Sequence, residues 1–180
     1  MGRISAGVRG MILDDDPRDR IVGMICVPKG SEDTILVVSE QGYGKRTRLD
    51  EDDADGNRVP VYRITNRGGK GVCTLKITEK TGYLVAIKNV NDNNDLMIIN
   101  KSGVVIRMHV AGISTLGRAT QGVRLIDLKR RGDQIASICK VLTEEDIAEQ
   151  VNAGVAENTT DVVDEPTSQA TPNSDDAPLA

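Results

Sequence analysis

The chain has 180 residues, which leaves room for one domain with a tail and excludes a large multidomain enzyme. It contains no Phe, no Trp and only three Tyr, so any core must be packed from Ile, Val, Leu and Met, which favours β-structure. All 23 Lys and Arg lie at or before Lys140, so residues 1–141 carry a net charge of +6 and residues 142–180 a net charge of −10. A basic body predicts a polyanionic partner, whereas scarce aromatic residues argue against base stacking on exposed rings.

Cysteine usage and hydropathy indicate the cellular compartment of the protein. Cys26, Cys73 and Cys139 are odd in number and far apart, which argues against a disulfide framework and against a zinc site. No segment resembles a signal peptide, and the aliphatic runs are far shorter than the ~20 residues that cross a bilayer. We expect a cytoplasmic protein without membrane contact.

The body of the chain is repetitive. Three segments align with few gaps, each starting at a Gly-Val pair and ending at a Val after 20, 19 and 19 residues. They run from Gly7 to Val27, from Gly71 to Val90 and from Gly122 to Val141. In the first two repeats, two further β-like runs follow around turns at Gly42 and Gly103. Each repeat is therefore predicted to supply about four short strands, the size of a propeller-type blade.

The predicted organisation is all-β, with about two and a half four-stranded, propeller-like blades over residues 1–141 and repeats that start near 6, 70 and 121. The first repeat is longer than the second by an acidic loop at residues 50–60. Thr143 and the acids after it predict a short helix over residues 142–152, because a Thr side chain can cap a helix and acids suit its first turn. Residues 153–180 have few apolar side chains, which predicts a disordered acidic tail.

Each repeat opens with a glycine-containing turn that carries a basic residue. The clearest is TNRGGKG at residues 65–71, where the glycines let the backbone approach a ligand while Arg67 and Lys70 supply positive charge. A solvated connection between strands is the alternative, and the Gly-Lys-Ser/Thr ending of a P-loop is missing. The turn at residues 117–122 recurs at the same repeat position with Arg118, which favours a shared surface.

Catalytic interpretations find little support in the sequence. His109 is the only histidine, and a lone His beside a strand is more often a packing or surface residue than a general base. Asp14, Asp15 and Asp16 precede Pro17, which is typical of a solvated loop rather than a magnesium site. We expect no catalytic residue and no metal site in this chain.

Several motifs resemble a known family. Residues 62–72 (YRITNRGGKGV), 117–126 (GRATQGVRLI), 37–47 (VVSEQGYGKRT) and 134–141 (QIASICKV) resemble the C-terminal domain of the A subunit of bacterial DNA gyrase. The resemblance covers residues 1 to about 141 and implies part of a six-bladed β-pinwheel. Such a domain wraps duplex DNA around a basic rim and supports ATP-dependent negative supercoiling by the type II topoisomerase.

The resemblance also implies partners and the absence of cofactors. The rest of the gyrase A subunit, together with the gyrase B subunit, would join this segment in an A2B2 complex on the bacterial chromosome in the cytoplasm. The cleavage tyrosine and the metal-binding region of the family lie outside the segment, as do the steps that use ATP and Mg²⁺. The segment is therefore expected to have no cleavage or ATPase activity of its own.

The family's functional motif is Gln-Arg-Arg-Gly-Gly-Lys-Gly. Its last five positions are matched by Arg67, Gly68, Gly69, Lys70 and Gly71. Thr65 and Asn66 depart from the motif, so we interpret this turn as a degenerate copy in a later blade. The other expected DNA contacts are the basic residues Lys45, Arg46, Arg48, Arg107, Arg118 and Arg124.

Two alternatives remain from the sequence. One is the related domain of the topoisomerase IV A subunit, which also binds DNA but serves decatenation. The other is a free-standing propeller that acts as a protein-binding scaffold, which basic residues scattered over both faces would favour. A hydrolase is a further alternative, for which the sequence offers little support.

Overall fold

The computed structural model describes residues 2–28, 30–128 and 132–141, and the strands in these ranges pair antiparallel. The first hairpin consists of β1 (Thr34–Ser39) and β2 (Tyr43–Arg48), and a smaller one of β3 (Asp50–Asp52) and β4 (Arg58–Pro60). They are followed by β5 (Leu84–Val90), β6 (Asp95–Asn100) and β7 (Val105–His109). The last strands are β8 (Val123–Arg124) and β9 (Ile135–Val141), and a 3-10 turn spans Val110–Gly112.

The strands of one repeat are shared between neighbouring sheets. Within the described residues, one sheet has the order β5-β1-β2-β8 and another the order β7-β6-β9, while β3 and β4 pair separately. The hairpin of the first repeat is thus flanked by β5 of the second repeat and by β8 of the third. The prediction of an all-β fold is confirmed, and the strands of the second repeat are divided between the two larger sheets.

The apolar sequence of β1 explains why this strand needs neighbours on both faces. Its side chains alternate, and Leu36 and Val38 belong to a buried cluster with Leu96 and Ile138 that joins the two larger sheets. On the opposite face, two other β1 side chains are buried in a second cluster, namely Ile35 and Val37. A strand buried on both faces has a continuous apolar sequence rather than an alternating one. The run ILVV in β1 fits this rule.

The repeat glycines share one backbone conformation. Gly7, Gly71 and Gly122 have φ angles of +80°, +76° and +77°. This left-handed region is open to glycine and strained for residues with a Cβ atom. The three turns therefore share the same backbone geometry at their repeat glycine.

The run at residues 19–27 matches β5 and β9 in the repeat but lies in no strand. In the other two repeats, the matching run pairs with the hairpin of the repeat before it. Ile21 and Met24 are consequently 67% and 92% exposed, whereas Ile135 and Ile138 at the same repeat positions are 1% and 5% exposed.

The predicted acidic loop is a short hairpin. β3 and β4 pair antiparallel, and the carboxylate of Asp53 accepts hydrogen bonds from the amides of Asp55 and Asn57 in the turn between them. The predicted helix at residues 142–152 and the predicted disordered tail at residues 153–180 lie outside the described residues.

Candidate nucleic-acid interface

The turn at residues 65–71, which we call the Arg67 turn, is held by the segment that precedes β1. The amide of Gly68 donates a hydrogen bond to the carbonyl of Gly10 at 2.8 Å, and the amide of Ile12 donates to the carbonyl of Gly69 at 3.1 Å. Gly68 has a φ of +71°, a value that glycine adopts without strain. Backbone contacts rather than a hydrophobic anchor therefore shape this turn.

Three cations surround the hollow of the Arg67 turn. Residues 63–71 line a cavity of about 400 Å³ that includes Arg63, Arg67 and Lys70. The Nζ of Lys70 lies 3.4 Å from Oδ1 of Asp14, and both side chains are largely exposed. An exposed pair of this kind contributes little, so Lys70 remains available to a stronger anionic ligand. Glycine-rich backbone beside several cations is an arrangement that suits a phosphate group.

The turn at residues 117–122, which we call the Arg118 turn, is held in the same way. The amide of Lys76 donates to the carbonyl of Thr120 at 3.0 Å. Lys76 stands five residues after the glycine of its repeat, as Ile12 does, and Thr120 stands two residues before the next repeat glycine, as Gly69 does. The Arg67 and Arg118 turns therefore occupy equivalent positions in successive repeats.

The Arg118 turn has a second support from β2. The Nζ of Lys45 donates hydrogen bonds to the carbonyls of Gly117 and Arg118. Just before the turn, Oγ1 of Thr47 donates to the carbonyl of Leu116 at 3.0 Å. Lys45 is fully buried, and this burial lowers the pKa of its ammonium group.

Arg46 is likewise turned into the protein. Its Nε donates to the carbonyl of Ile113 at 2.9 Å, and its Nη1 forms an ion pair with Asp92. The segment at residues 113–118 covers β2 and thereby removes Lys45 and Arg46 from the surface. The prediction that these two residues contact DNA directly finds no support in this placement, because both cationic groups are engaged by protein atoms.

The remaining predicted contacts are exposed, and two of them, Arg48 and Arg107, lie outside the two turns. Arg48 lines a polar cavity of about 500 Å³ beside the acidic residues of β3. Arg124 follows the Arg118 turn directly in β8, and its Nη1 lies 3.5 Å from a carboxylate oxygen of Asp127. Arg107 belongs to the other sheet and forms an ion pair with Asp95.

Asp95 is contacted by the side chains of Arg107 and His109. Its carboxylate accepts a hydrogen bond from Nε of Arg107 at 2.6 Å and also contacts Nδ1 of His109. The hydrogen bond from Arg107 is the main reason that the pKa of Asp95 lies below its ordinary value. His109 thus lies beside the Arg107–Asp95 ion pair at the end of β7.

One basic position of the repeat was missed by the sequence reasoning. Arg3, Arg67 and Arg118 each stand four residues before the glycine of their repeat. The sequence analysis named the last two, although the alignment of the three repeats already contained the signal for Arg3. Arg63, which lines the hollow of the Arg67 turn, was also missed because nothing in its local sequence distinguishes it.

The described part of the chain offers neither a metal centre nor a membrane span. In residues 2–28, 30–128 and 132–141, no three His, Cys, Asp or Glu side chains are grouped so that they would hold a metal ion. The same ranges contain no helix that is long and apolar enough to span a membrane.

Sequence comparison connects this geometry with known proteins. The sequence model of the family described as DNA gyrase C-terminal domain, β-propeller, matches residues 1–28, 33–51, 60–91 and 94–138. The A subunit of DNA gyrase from Staphylococcus epidermidis is 44% identical over 146 residues, which are 81% of this chain and 15% of that protein. The corresponding protein of Staphylococcus aureus is 43% identical over 154 residues, or 84% and 15%. The chain thus spans about 15% of the length of these relatives.

A solved structure supports the fold. The crystal structure of the C-terminal domain of DNA topoisomerase IV superposes with a TM-score of 0.63 and 21% identity, covering 85% of this chain and 43% of that one. This likeness, with the propeller description of the family, confirms the predicted propeller-like fold. The relatives named as gyrase A subunits favour gyrase over the topoisomerase IV alternative. The chain belongs to the family of DNA gyrase C-terminal β-propeller domains.

Proposed function

We propose that this chain is a DNA-binding and DNA-wrapping region of the DNA gyrase A subunit that has no catalytic residues of its own. The observation that carries the proposal is the repetition of one basic turn. The Arg67 and Arg118 turns are held by matching backbone hydrogen bonds in successive repeats, and each offers an arginine four residues before a positive-φ glycine. Repeated cations along an array of sheets suit the repeated phosphates of a duplex.

The chemistry of the turns favours binding without sequence preference. Arginine and lysine presented from loops reach phosphate oxygens, which position a protein on DNA but carry no sequence information. None of the described elements is a helix or an extended ribbon of the kind that reads base edges in a groove. We therefore expect affinity to be dominated by the release of counterions from the duplex.

The named relatives support a proposal about the larger enzyme to which this chain contributes. Proteins named as A subunits of DNA gyrase match it over a small part of their length. We propose that the rest of the A subunit together with the B subunit, in an A2B2 complex, carries out ATP-dependent negative supercoiling with this region as the DNA-wrapping element. ATP and Mg²⁺ then act elsewhere in the complex, which works in the cytoplasm on the bacterial chromosome.

Fluorescence anisotropy with two unrelated duplex sequences tests DNA binding. Affinity should be equal for the two duplexes and fall steeply between about 50 and 200 mM salt. Arg67→Ala should reduce the slope of log K against log salt by about 0.9, the value for one lost phosphate contact. Lys101→Ala removes an equal charge on the exposed β6–β7 turn, where Nζ donates to Gln134, and serves as the matched control. Binding that ignores salt, or that prefers one sequence strongly, contradicts the proposal.

Wrapping requires a separate measurement. Relaxed circular DNA is incubated with the chain, treated with a type I topoisomerase and freed of protein before electrophoresis. A wrapped duplex leaves a change of linking number that grows with the amount of chain added. Binding without any change of linking number would support a DNA-binding role and exclude wrapping by this region alone.

A further inference from the structure

We propose that Lys45 is a positioning residue of the DNA interface, whose buried ammonium group holds the main chain of the Arg118 turn in the form that offers Arg118 to a phosphate. This inference rests on the proposed function, because it assigns a phosphate contact to Arg118. It replaces the sequence-based expectation that Lys45 itself contacts DNA.

The hydrogen bonds of Lys45 are unusual for a lysine. The side chain is 0% exposed, and its ammonium donates to two consecutive carbonyls, those of Gly117 and Arg118. Burial of a charged group is unfavourable unless hydrogen bonds compensate for the lost water. A methionine or leucine would fill similar space without that cost. Packing alone therefore does not account for a lysine here, whereas fixing two adjacent carbonyls does.

The two carbonyls also explain how Lys45 affects the binding of a phosphate to the Arg118 turn. Both oxygens carry partial negative charge, and both are engaged by the ammonium group inside the protein. Acceptors turned inward do not repel an incoming phosphate, and the peptide unit that carries Arg118 is fixed in orientation. Arg118 itself is partly exposed, so its guanidinium is available to a ligand.

The Arg67 turn provides an internal comparison. Among the described residues, no lysine or arginine side chain donates a hydrogen bond to a carbonyl of the Arg67 turn. In the second hairpin, Ile106 occupies the place of Lys45, three residues after the turn glycine. The second hairpin therefore has no ammonium group at this place, and we call the pair of hydrogen bonds from Lys45 to the Arg118 turn the ammonium clamp.

Limited trypsin digestion tests the clamp without DNA. Arg67 and Arg118 hold equivalent positions, so the wild-type chain should be cut after Arg67 much faster than after Arg118. Lys45→Met removes the ammonium and keeps an unbranched side chain. Charge-assisted hydrogen bonds are strong enough that cleavage after Arg118 should rise about tenfold or more, while cleavage after Arg67 stays constant. Equal cleavage of the two sites in the wild-type chain, or no change in Lys45→Met, overturns the clamp.

A double-mutant cycle tests the connection to DNA. In the full chain, Arg118→Ala should lower duplex affinity about eightfold at 0.1 M salt, the effect of one lost phosphate contact. Lys45→Met should lower affinity by a similar factor alone and have little further effect in the Arg118→Ala background. Lys101→Met controls for the loss of one positive charge and should leave the coupling unchanged.

The outcomes separate this inference from the proposed function. Multiplicative effects of Lys45→Met and Arg118→Ala would mean that the two residues act independently, which overturns the inference and leaves DNA binding intact. A wild-type chain that shows no salt-dependent binding would refute the proposed function, and the positioning role for DNA would fall with it. The digestion ratio would then still show whether Lys45 holds the turn.

Discussion

Replacement of Gly122 by alanine is expected to destabilise the fold much more than replacement of Gly71, although the two glycines hold the same place in the repeat. Their φ angles are +77° and +76°, so both substitutions incur about 1–2 kcal/mol for an L-residue in the left-handed region. The surroundings differ. A Cβ atom on Gly122 would lie 2.6 Å from the carbonyl oxygen of Gly44 and 2.9 Å from its carbon, whereas nothing lies within 4 Å of one on Gly71.

The clash at Gly122 involves backbone and is therefore expensive to relieve. Gly44 belongs to β2 and pairs with Val123 of β8, so relief requires the short strand β8 to move away from the sheet. Overpacking of this kind costs about 1–3 kcal/mol, and each weakened backbone hydrogen bond costs roughly 1 kcal/mol more. The free energy of unfolding should fall by about 3–5 kcal/mol for Gly122→Ala and about 1–2 kcal/mol for Gly71→Ala.

Urea unfolding followed by circular dichroism measures both values. At roughly 3 °C per kcal/mol, the thermal midpoint should fall by about 9–15 °C for Gly122→Ala and about 3–6 °C for Gly71→Ala. Gly103→Ala is a further control, because its φ is +84° and a Cβ atom there also meets nothing within 4 Å. Equal destabilisation at the three positions would refute the predicted clash between a Cβ atom at position 122 and Gly44. Only the cost of the left-handed φ would then remain.

Three further predictions concern the core, the pH dependence and the tail. Leu36→Ala empties a fully buried position in the cluster that joins the two larger sheets and should cost about 2–5 kcal/mol of unfolding free energy, well above Val105→Ala on the exposed face of β7. The hydrogen bond from Arg107 holds the pKa of Asp95 below its ordinary value, so the stabilising effect of the carboxylate is complete above that ordinary value and is lost as the pH falls through the lowered pKa. The free energy of unfolding of Asp95→Asn should therefore fall less steeply at acid pH than that of the wild-type chain. The same dependence on acid pH in both proteins would contradict this assignment. Truncation after Val141 removes ten acids and no base, and these acids compete with DNA phosphates for the basic body of the chain. The truncated chain should therefore bind DNA more tightly than the full chain at low salt, and the difference should disappear as the screening length shortens towards about 8 Å. Equal affinities of the two forms at the lowest salt would leave the tail without an inhibitory role.

Periodic and local features of this protein are readable from its sequence. The repeat glycines, the apolar runs and the turn residues recur at nearly constant spacing, and each reports a local backbone requirement such as positive φ at Gly71 or burial of both faces of β1. The same repeat spacing identified Arg67 and Arg118 as equivalent positions, and Arg3 has this spacing as well. Positive φ and burial are readable in this way because their physical cause lies within a few residues of the effect.

The pairing of strands and the burial of charges were decided by tertiary structure. Lys45 and Arg46 carry the charge expected of a surface strand, and such side chains are seldom buried unless paired. The groups that bury them, at residues 113–118, lie about 70 positions further along the chain and reach β2 only because consecutive repeats share their sheets. No local pattern marks that contact, since a hydrogen bond between side chain and backbone depends on where the main chain passes and not on which residues it carries. The sequence therefore determined that this protein is a basic β-repeat, and only the packing of one repeat on the next decided which of its cations face solvent and which hold the fold.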